Sequence, residues 1–400
     1  MAVVHERLTC TSVLCLLLLL GLAACAPVPA VETSAVPTST ASITPPATPT
    51  AIPDTVLPHT LYYLADGQVF RMERDGKTKT QLTFEDSNVT DYDVSLADGS
   101  VAFVMKNQLL LINGEGSNRR LLVDGGPREE SNPWVTDPAF SPDGQTLAYG
   151  HNGLNLYDLS AGISNLVIQN QQEYVGDSET ILGESYETYV PERYSPDGTK
   201  LLVALGHWEA APSHAVYYPK TNTLVRYSEV KEYNYCCSFY GGPVWSPDSS
   251  SFYGIASIHD SSYLYGELWR VDVGNGTATS LLRAEDGMLN LPKEPYLAPD
   301  GQFYFFLGTY SVDSGYWDAP VLNLVRSAPD GMTDRTVLRD ENFRLMNEAL
   351  WAPDASFVIT ATWPGLNWDR RGGVLELYYT DRRKAMVWLD RFGQGLKWGP

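Results

Sequence analysis

The sequence predicts an all-β fold, a β-propeller in which small sheets, the blades, stand around a central channel. Two observations carry this prediction. One turn motif recurs about every 50 residues, and a short run rich in β-branched and aromatic residues follows each copy. No stretch of useful length shows the periodicity of an amphipathic helix.

The turn motif is Ser-Pro-Asp-Gly or a close variant of it. Serine caps such a turn, proline sets φ at the second position, and glycine suits the last position. Successive aspartates of the motif are separated by 45, 54, 51, 52 and 54 residues. The copies begin the segments SLADGSVAFV (95–104), FSPDGQTLAYG (140–150), YSPDGTKLLVAL (194–205), WSPDSSSFYGIA (245–256), LAPDGQFYFFLG (297–308) and WAPDASFVITAT (351–362).

The two ends of the repeat region predict the number of blades. Residues 60–84 supply three outer strands with no inner strand before them, and LKWGP (396–400) repeats the start of WSPD and WAPD. A C-terminal inner strand would complete the blade that the N-terminal strands begin, and would leave no open edge in the ring. This predicts a seven-bladed propeller with one composite blade. The alternative is a six-bladed ring with a stray terminal strand.

The repeated turn and the strand pattern resemble the TolB-type family of bacterial propellers and, more distantly, WD-repeat propellers. The resemblance covers nearly all of 60–400, and we assign 59–400 to the propeller domain. The chain departs from the pattern at Ala97, which replaces proline, and at Ser249 and Ala355, which replace glycine. The resemblance implies an extracytoplasmic platform for a protein or a small ligand. It also implies rarer outcomes, since some relatives carry a serine peptidase and some related propellers are lyases.

The N-terminal residues predict export and a lipid anchor. Leu8 to Leu22 is an apolar run too short to span a bilayer comfortably, so we interpret 1–24 as a lipoprotein signal peptide. The run ends in Leu-Ala-Ala-Cys25, which resembles the bacterial lipobox and implies a lipid on Cys25. The alternative is an ordinary signal peptide with a chance cysteine. Residues 25–58, rich in Pro, Thr, Ser and Ala, are interpreted as an extended tether.

The charge and the anchor together predict the location and exclude some partners. The chain has 28 Lys and Arg against 48 Asp and Glu, a net charge of −20. Such a surface argues against nucleic acid or anionic lipid as the partner. We therefore expect the protein on the outer side of a bacterial membrane, at the cell surface or in the periplasm. Its contact with the membrane is expected through the N-terminal lipid only.

One face of the predicted propeller carries long loops, and we call it the long-loop face. It holds the loops between second and third strands and the crossings between blades, which include 168–192, 206–215, 227–242, 257–267, 308–320 and 362–373. Long loops on a rigid scaffold usually carry function. Aromatic rings there suit sugar faces or apolar groups, and arginines suit a carboxylate. The predicted ligand-binding residues are Trp208, Tyr233, Tyr235, Tyr240, Trp317, Trp363, Trp368, Arg370 and Arg371.

Cys236 and Cys237 are adjacent in YNYCCSFYGG (233–242), a blade crossing near the predicted channel mouth. Neighbouring Cα atoms lie ~3.8 Å apart, below the usual disulfide range, so a bond between them would close a strained and rigid ring. Export into an oxidising space favours that vicinal disulfide. Two free thiols packed among tyrosines are the alternative.

Signals for catalysis are few. The sequence has no Gly-x-Ser-x-Gly elbow, no His-Glu-x-x-His and no phosphate-binding glycine loop, and we predict no cofactor. Four histidines end second strands in three successive blades and would hold a divalent metal if they converged: His151, His207, His214 and His259. The favoured function is therefore non-catalytic binding of a protein or glycan. The alternative is a metal-dependent, lyase-type propeller enzyme acting on acidic sugars.

Overall fold

The computed structural model describes residues 55–127, 134–173, 185–207, 210–227, 243–256, 267–282, 288–311, 321–363 and 371–400. Within these residues every helix or strand element is a β-strand, so the all-β prediction is confirmed. No helix in this part of the chain is long and apolar enough to cross a membrane.

The strands follow one another along the chain in groups of mostly four. The first groups are β1 (Leu61–Ala65), β2 (Gln68–Met72), β3 (Lys79–Gln81); β4 (Asp91–Val94), β5 (Val101–Met105), β6 (Gln108–Ile112), β7 (Arg120–Asp124); and β8 (Thr136–Phe140), β9 (Thr146–Gly150), β10 (Gly153–Asp158), β11 (Ile163–Gln169). The next are β12 (Gln171–Glu173), β13 (Ser185–Tyr194), β14 (Leu201–His207), β15 (Ala210–Tyr218), β16 (Thr223–Arg226); and β17 (Val244–Trp245), β18 (Ser251–Ala256), β19 (Glu267–Asp272), β20 (Ala278–Leu282). The last are β21 (Met288–Leu297), β22 (Phe303–Ser311), β23 (Asn323–Ser327), β24 (Thr336–Val337); and β25 (Met346–Trp351), β26 (Phe357–Thr362), β27 (Gly373–Tyr379), β28 (Val387–Trp398).

The strands pair antiparallel, and every sheet but one keeps the order of its strands along the chain. The sheets β4–β7, β8–β11, β17–β20 and β21–β24 have four strands, and the sheet β12–β16 has five. The remaining sheet has seven strands in the order β25–β26–β27–β28–β1–β2–β3. Sequential antiparallel strands are what the repeated turns predicted, because a tight turn joins only neighbours that run in opposite directions.

In the seven-stranded sheet, β28 belongs to two ladders. Its first part pairs with β27, where Val387 lies opposite Leu377. Its last residues pair with β1, where Trp398 lies opposite Leu61. The strand changes partner between Gly393 and Gln394. Gly395 follows in the irregular part of the β1 ladder, and its φ of 63° is one that glycine adopts readily.

Serine and aspartate side chains organise the repeated turns. Ser195 donates its hydroxyl to Asp197 at 2.6 Å, and Asp197 accepts the N–H of Thr199 at 3.0 Å. The Ser195 hydroxyl oxygen also accepts the N–H of Lys200 at 3.0 Å, so both side chains cap the turn. The same arrangement recurs around Asp143 and Asp248.

The last position of each turn requires a left-handed backbone. Glycine fills it in four copies, for example Gly301 with φ of 78°. Ser249 and Ala355 adopt the same region with φ of 59° and 56°. For residues with a Cβ this conformation costs about 1–2 kcal/mol, so these two turns form in spite of a local strain.

The core lies between neighbouring sheets. Tyr62 and Val69 from the first strands pack with Tyr92, Val94 and Phe103 of the following sheet, and all five are buried. Burying such side chains contributes about 1.5–3 kcal/mol each. Comparable clusters follow along the chain, each shared mainly by two successive sheets. Stability is therefore expected to depend on each sheet having both of its neighbours.

Candidate functional site

The inner strands of successive sheets contact one another. β28 contacts β4, β4 contacts β8, and β8 contacts β13; β21 contacts β25, which contacts β28. These strands carry half-buried charged side chains, which we call the channel charges. They are Asp91 and Asp93 on β4, Asp137 on β8, Glu192 on β13, Lys293 and Glu294 on β21, Glu348 on β25 and Lys397 on β28.

Irregular backbone presents several of these side chains. The ladders slip around Asp137, around Glu192 and around Glu294, where the inner strand forms a β-bulge. Asp137 and Glu294 both have φ of 50°, which is uncommon for residues with a side chain. Bulges re-aim side chains, and strained backbone concentrates at functional sites. The inner strands therefore carry the strongest structural indication of a binding site among the described residues.

Two channel carboxylates join neighbouring inner strands. Asp93 receives the Lys397 ammonium at 2.7 Å and accepts the N–H of Phe140, also at 2.7 Å. Glu348 accepts the backbone N–H groups of Gly395 (2.9 Å) and Leu396. Asp93 thus ties its sheet to both neighbouring sheets, and Glu348 ties β25 to β28, so we assign them a structural role.

Glu192 faces a histidine instead. Its Oε2 lies 3.3 Å from Nε2 of His214, which is buried and tilted against Phe252 at a ring distance of 6.3 Å. This pair crosses from β13 to β15 within one sheet. Glu192 Oε1 lies 3.4 Å from the same nitrogen, whereas Oε2 is buried and makes no hydrogen bond to a described residue, so Glu192 is only partly satisfied.

Three channel carboxyls make no ion pair with another described residue: Asp91, Asp137 and Glu294. Burial raises the pKa of Asp91 to about 7, a rise that Lys397 opposes and the nearby Asp137 reinforces. Burial likewise raises the pKa of Glu294 to about 7, with Glu348 adding to the rise. The pKa of Asp137 is also raised by burial. Near neutral pH, Asp91 and Glu294 therefore bind a proton more readily than an ordinary carboxyl, and the protonated form can donate a hydrogen bond.

Three cations near these carboxyls are also without an ion pair among the described residues: Arg193, Lys293 and Arg371. Burial lowers the pKa of Lys293. Arg371 is exposed, and its charge favours ionised Glu294 and Glu348. The channel charges therefore lie within electrostatic range of Arg371.

Tryptophans fix the backbone beside the channel charges. The indole N–H of Trp245 donates to the carbonyl of Arg193 at 3.2 Å, and that of Trp351 donates to the carbonyl of Glu294 at 2.8 Å. Each tryptophan begins a turn motif one repeat further along the chain. In these two repeats the indole thus holds the backbone of a charged residue of the preceding inner strand in position.

Most of the predicted ligand-binding residues lie outside the described residues. This applies to Trp208, Tyr233, Tyr235, Tyr240, Trp317, Trp368 and Arg370, and equally to Cys25, Cys236 and Cys237. Trp363 is half-buried, and its ring meets that of Phe392 edge-on at 6.0 Å. Arg371 is exposed beside the channel charges. Of the predicted ligand-binding set, Arg371 is the residue that the structure places next to them.

The four histidines proposed as metal ligands are only partly described. His259 lies outside the described residues, and for His207 the backbone at the end of β14 is described. His151 is half-buried, and burial lowers its pKa. His214 lies against Glu192. Within the described ranges, no group of three or more His, Cys, Asp or Glu is arranged to hold a metal ion.

The sequence analysis did not predict the channel charges, although the repeats contain a pattern that indicates them. An acidic residue stands five or six positions before the aspartate of the turn in five repeats. In three of them it is next to a proline, as in Asp137-Pro138, Pro191-Glu192 and Glu294-Pro295. Proline is tolerated there because these residues have a ladder partner on one side only; β12 pairs with β13 at 185–187 and does not reach Pro191. Aligning the repeats upstream of the turn, and not only at the turn, would have found them.

Comparison with solved structures identifies the fold. The chain is similar to an oligogalacturonate lyase in complex with manganese, at 14% identity and a TM-score of 0.53, over 83% of each chain. It is similar to oligogalacturonate lyase from Vibrio parahaemolyticus, at 15% identity and a TM-score of 0.52, over 83% of this chain and 84% of that one. It is also similar to TolB from Acinetobacter baumannii, at 15% identity and a TM-score of 0.46, over 85% and 81%.

No protein-family model and no curated protein matches the chain. At these identities the structural similarities show the fold alone. The prediction of a β-propeller fold is confirmed.

Proposed function

We propose that this protein is a lipid-anchored, extracytoplasmic β-propeller that binds a protein or glycan partner on its long-loop face without catalysing a reaction. The ring in this proposal has seven blades. The seven-stranded sheet counts as two of them, because β25–β27 with the first part of β28 form one blade. The last part of β28 with β1–β3 forms the other, and the remaining five sheets complete the ring.

One observation carries the binding proposal: unpaired charged groups line the inner strands at positions of strained backbone. A half-buried charge without an ion pair is unfavourable, and a bound ligand that pairs with it would stabilise it. Glu294 shows both features, since it has a positive φ and no ion pair with a described residue. Asp137 shows them as well.

The mixture of charges indicates the character of the partner. Unpaired carboxyls and unpaired cations lie close enough to influence one another, as Arg371 does with Glu294 and Asp137. Such a site suits a polar partner with hydrogen-bond donors and acceptors, as a peptide segment or a sugar chain has. The aromatic residues expected on the long-loop face would add stacking contacts around it.

An affinity experiment with matched variants tests this proposal. The full chain would be immobilised and exposed to envelope extracts and to a glycan array, in three forms and one control. The three forms are the wild type, the double variant Asp137→Asn/Glu294→Gln, and Arg371→Gln. Lys220→Gln is the control for Arg371→Gln, because Lys220 is also an exposed cation but lies in the short turn between β15 and β16.

We expect a partner that the wild type and Lys220→Gln retain and that the two channel variants lose. A partner retained equally by all four forms would place binding elsewhere on the molecule. Metal analysis of the purified protein addresses the lyase-type alternative. Stoichiometric manganese, together with cleavage of oligogalacturonate, would replace the non-catalytic proposal.

A further inference from the structure

Asn347 fixes the backbone next to Arg371 through two hydrogen bonds. Its Nδ2 donates to the carbonyl of Gly372 at 2.9 Å, and its Oδ1 accepts the N–H of Gly372 at 2.8 Å. A side-chain amide that donates to and accepts from one residue pairs with it much as a residue of a neighbouring strand does. Arg371 directly precedes Gly372, so this pairing limits where the arginine side chain can reach.

A β-bulge gives the Asn347 side chain its direction. In the ladder between β25 and β26 the register slips between Met346 and Glu348, so Asn347 is the extra residue. A bulge re-aims the side chain that it inserts. Asn347 therefore connects the inner strand, at the channel charge Glu348, to the backbone that carries Arg371.

Two glycines bring that backbone close to its neighbours. Gly372 has φ of 84°, and a Cβ there would lie 2.7 Å from the carbonyl oxygen of Gly393 in β28. Gly373 has φ of 144°, and a Cβ there would lie 2.1 Å from the carbonyl oxygen of Thr362 in β26. These positions leave no room for a side chain. The side chain of Arg371 therefore starts from a backbone that is held between two strands.

The charge of Arg371 acts on channel carboxyls of three sheets. Burial is the first cause that raises the pKa of Glu294, of Glu348 and of Asp137, and Arg371 opposes each rise. Arg371 makes no ion pair with another described residue. The other charged side chains that act on these carboxyls are Arg193, Lys293 and Glu348 on Glu294, Lys397 on Glu348, and Glu192 and Lys397 on Asp137.

We propose that Asn347 is a positioning residue that holds Arg371 at the channel charges and thereby sets the charge state of the proposed binding site. The inference rests on the proposed function only because it takes these carboxyls as the site. While Asn347 holds the backbone, Arg371 favours ionised carboxylates. Without that contact the exposed arginine would move into solvent, where water weakens its field. The carboxyls would then keep their protons to a higher pH.

Carboxyl ¹³C NMR titration of the full chain tests the proposal in the absence of any partner. The signal of Glu294 is assigned with Glu294→Gln. We expect Asn347→Ala to raise the pKa of Glu294 by a few tenths of a pH unit, less than the roughly 1–3 units of a close ion pair. Arg371→Gln should raise it by a similar amount. The double variant Asn347→Ala/Arg371→Gln should raise it no further than Arg371→Gln alone, because both changes act through one guanidinium.

Asn107→Ala is the matched control. Asn107 also accepts a backbone N–H, that of Val135 at 2.8 Å, and donates to a glycine carbonyl, that of Gly126 at 3.3 Å. It lies between β5 and β6, in another sheet. Its loss removes the same kind of contact and should leave the pKa of Glu294 unchanged.

Three results would overturn the proposal. They are an unchanged pKa of Glu294 in Asn347→Ala, an equal rise in Asn107→Ala, and effects of Asn347→Ala and Arg371→Gln that add. Asn347→Ser provides the same test in a milder form if the alanine variant does not fold, because serine is too short to reach both groups of Gly372. Since the titration needs no partner, its failure would leave the binding proposal to its own experiment.

Discussion

The indole N–H of Trp398 donates a hydrogen bond to the backbone carbonyl of Trp351 at 2.7 Å. The indole N–H of Trp351 likewise donates to a carbonyl of the preceding sheet, that of Glu294, at 2.8 Å. Trp398 also lies opposite Leu61 in the ladder between β28 and β1. The segment LKWGP (396–400) therefore contacts β25 and pairs with β1.

Deleting residues 394–400 should destabilise the protein far more than seven terminal residues usually would. The deletion removes the ladder partner of β1 and the N–H groups that satisfy Glu348. It also uncovers Leu61 and Tyr63, which are fully buried. Trp398→Phe is the milder comparison, because it removes one hydrogen bond worth about 0.5–1.5 kcal/mol together with some packing. Thermal melting of both variants checks this, and a truncated protein that melts with the wild type would contradict it.

The channel carboxyls predict that stability falls as the pH rises from 4 toward 8. Folding raises the pKa of Asp91 and of Glu294 to about 7, so the folded chain holds more protons than the unfolded chain in this range. Their stabilising contribution is complete below the unfolded pKa of about 4 and is lost as the pH passes the folded value. Glu294→Gln should flatten the decline and stabilise the protein at pH 8 by about 1–2 kcal/mol, after allowance for partial exposure.

Urea unfolding at several pH values measures this effect. Glu115→Gln serves as the control, because Glu115 is an exposed carboxylate in the turn before β7. The turn aspartates change stability in the opposite direction, because their contribution falls as the pH is lowered. Hydrogen bonds, first that from Ser141, hold the pKa of Asp143 below its ordinary range, so its contribution is lost on acidification. An identical pH profile for Glu294→Gln and the wild type would contradict the role given to Glu294.

Gly301→Ala should cost about 1–2 kcal/mol, from backbone strain alone. The φ of Gly301 is 78°, and a Cβ added there would have nothing within 4 Å. The reverse change, Ala355→Gly, should be close to neutral. It relieves the same strain but removes a buried methyl group worth about 0.8 kcal/mol. Denaturant unfolding compares the two variants, and a neutral Gly301→Ala would show that the left-handed turn is not required.

Cys25→Ser should release the protein from the membrane fraction, because the expected thioether requires sulfur. Fractionation of cells and the intact mass of the wild type measure this. A serine variant that stays with the membranes, combined with a wild type lacking lipid mass, would remove the anchor from the proposed function.

Cys236 and Cys237, if bonded to one another, should be reduced more readily than an ordinary structural disulfide. Mild reductant should add two protons to the intact mass without unfolding the molecule. Partner binding should weaken on reduction, and Cys236→Ser and Cys237→Ser should weaken it equally. Two alkylatable thiols in the unreduced protein would leave the pair as packing.

The sequence predicted the class of fold because turns are local. The four residues Ser-Pro-Asp-Gly are enough to predict the turn that they form, and even Ser249 and Ala355 adopt the backbone conformation that glycine has in the other copies. The positions of binding residues cannot be predicted from such a short segment. Asp137 and Glu294 lie more than 150 positions apart, yet the charge of Arg371 acts on both.

The effect of Arg371 on Asp137 and Glu294 depends on how the sheets are arranged around the channel, and no short segment of the sequence shows that arrangement. The same limit applies to the bulges. A slipped ladder around Glu294 is a property of two strands together, and the sequence of either strand alone does not show it.

The two-sided pairing of β1 has a mechanical consequence. Tension applied to the chain ahead of Leu61 would load two ladders at once, one to β28 and one to β2. Tension applied at Pro400 would load the last residues of β28, which have a ladder on one side only. The molecule should therefore resist pulling from its N-terminal side more strongly than from its C-terminal side. If Cys25 is its point of attachment, the protein is held by the end that tolerates the greater force.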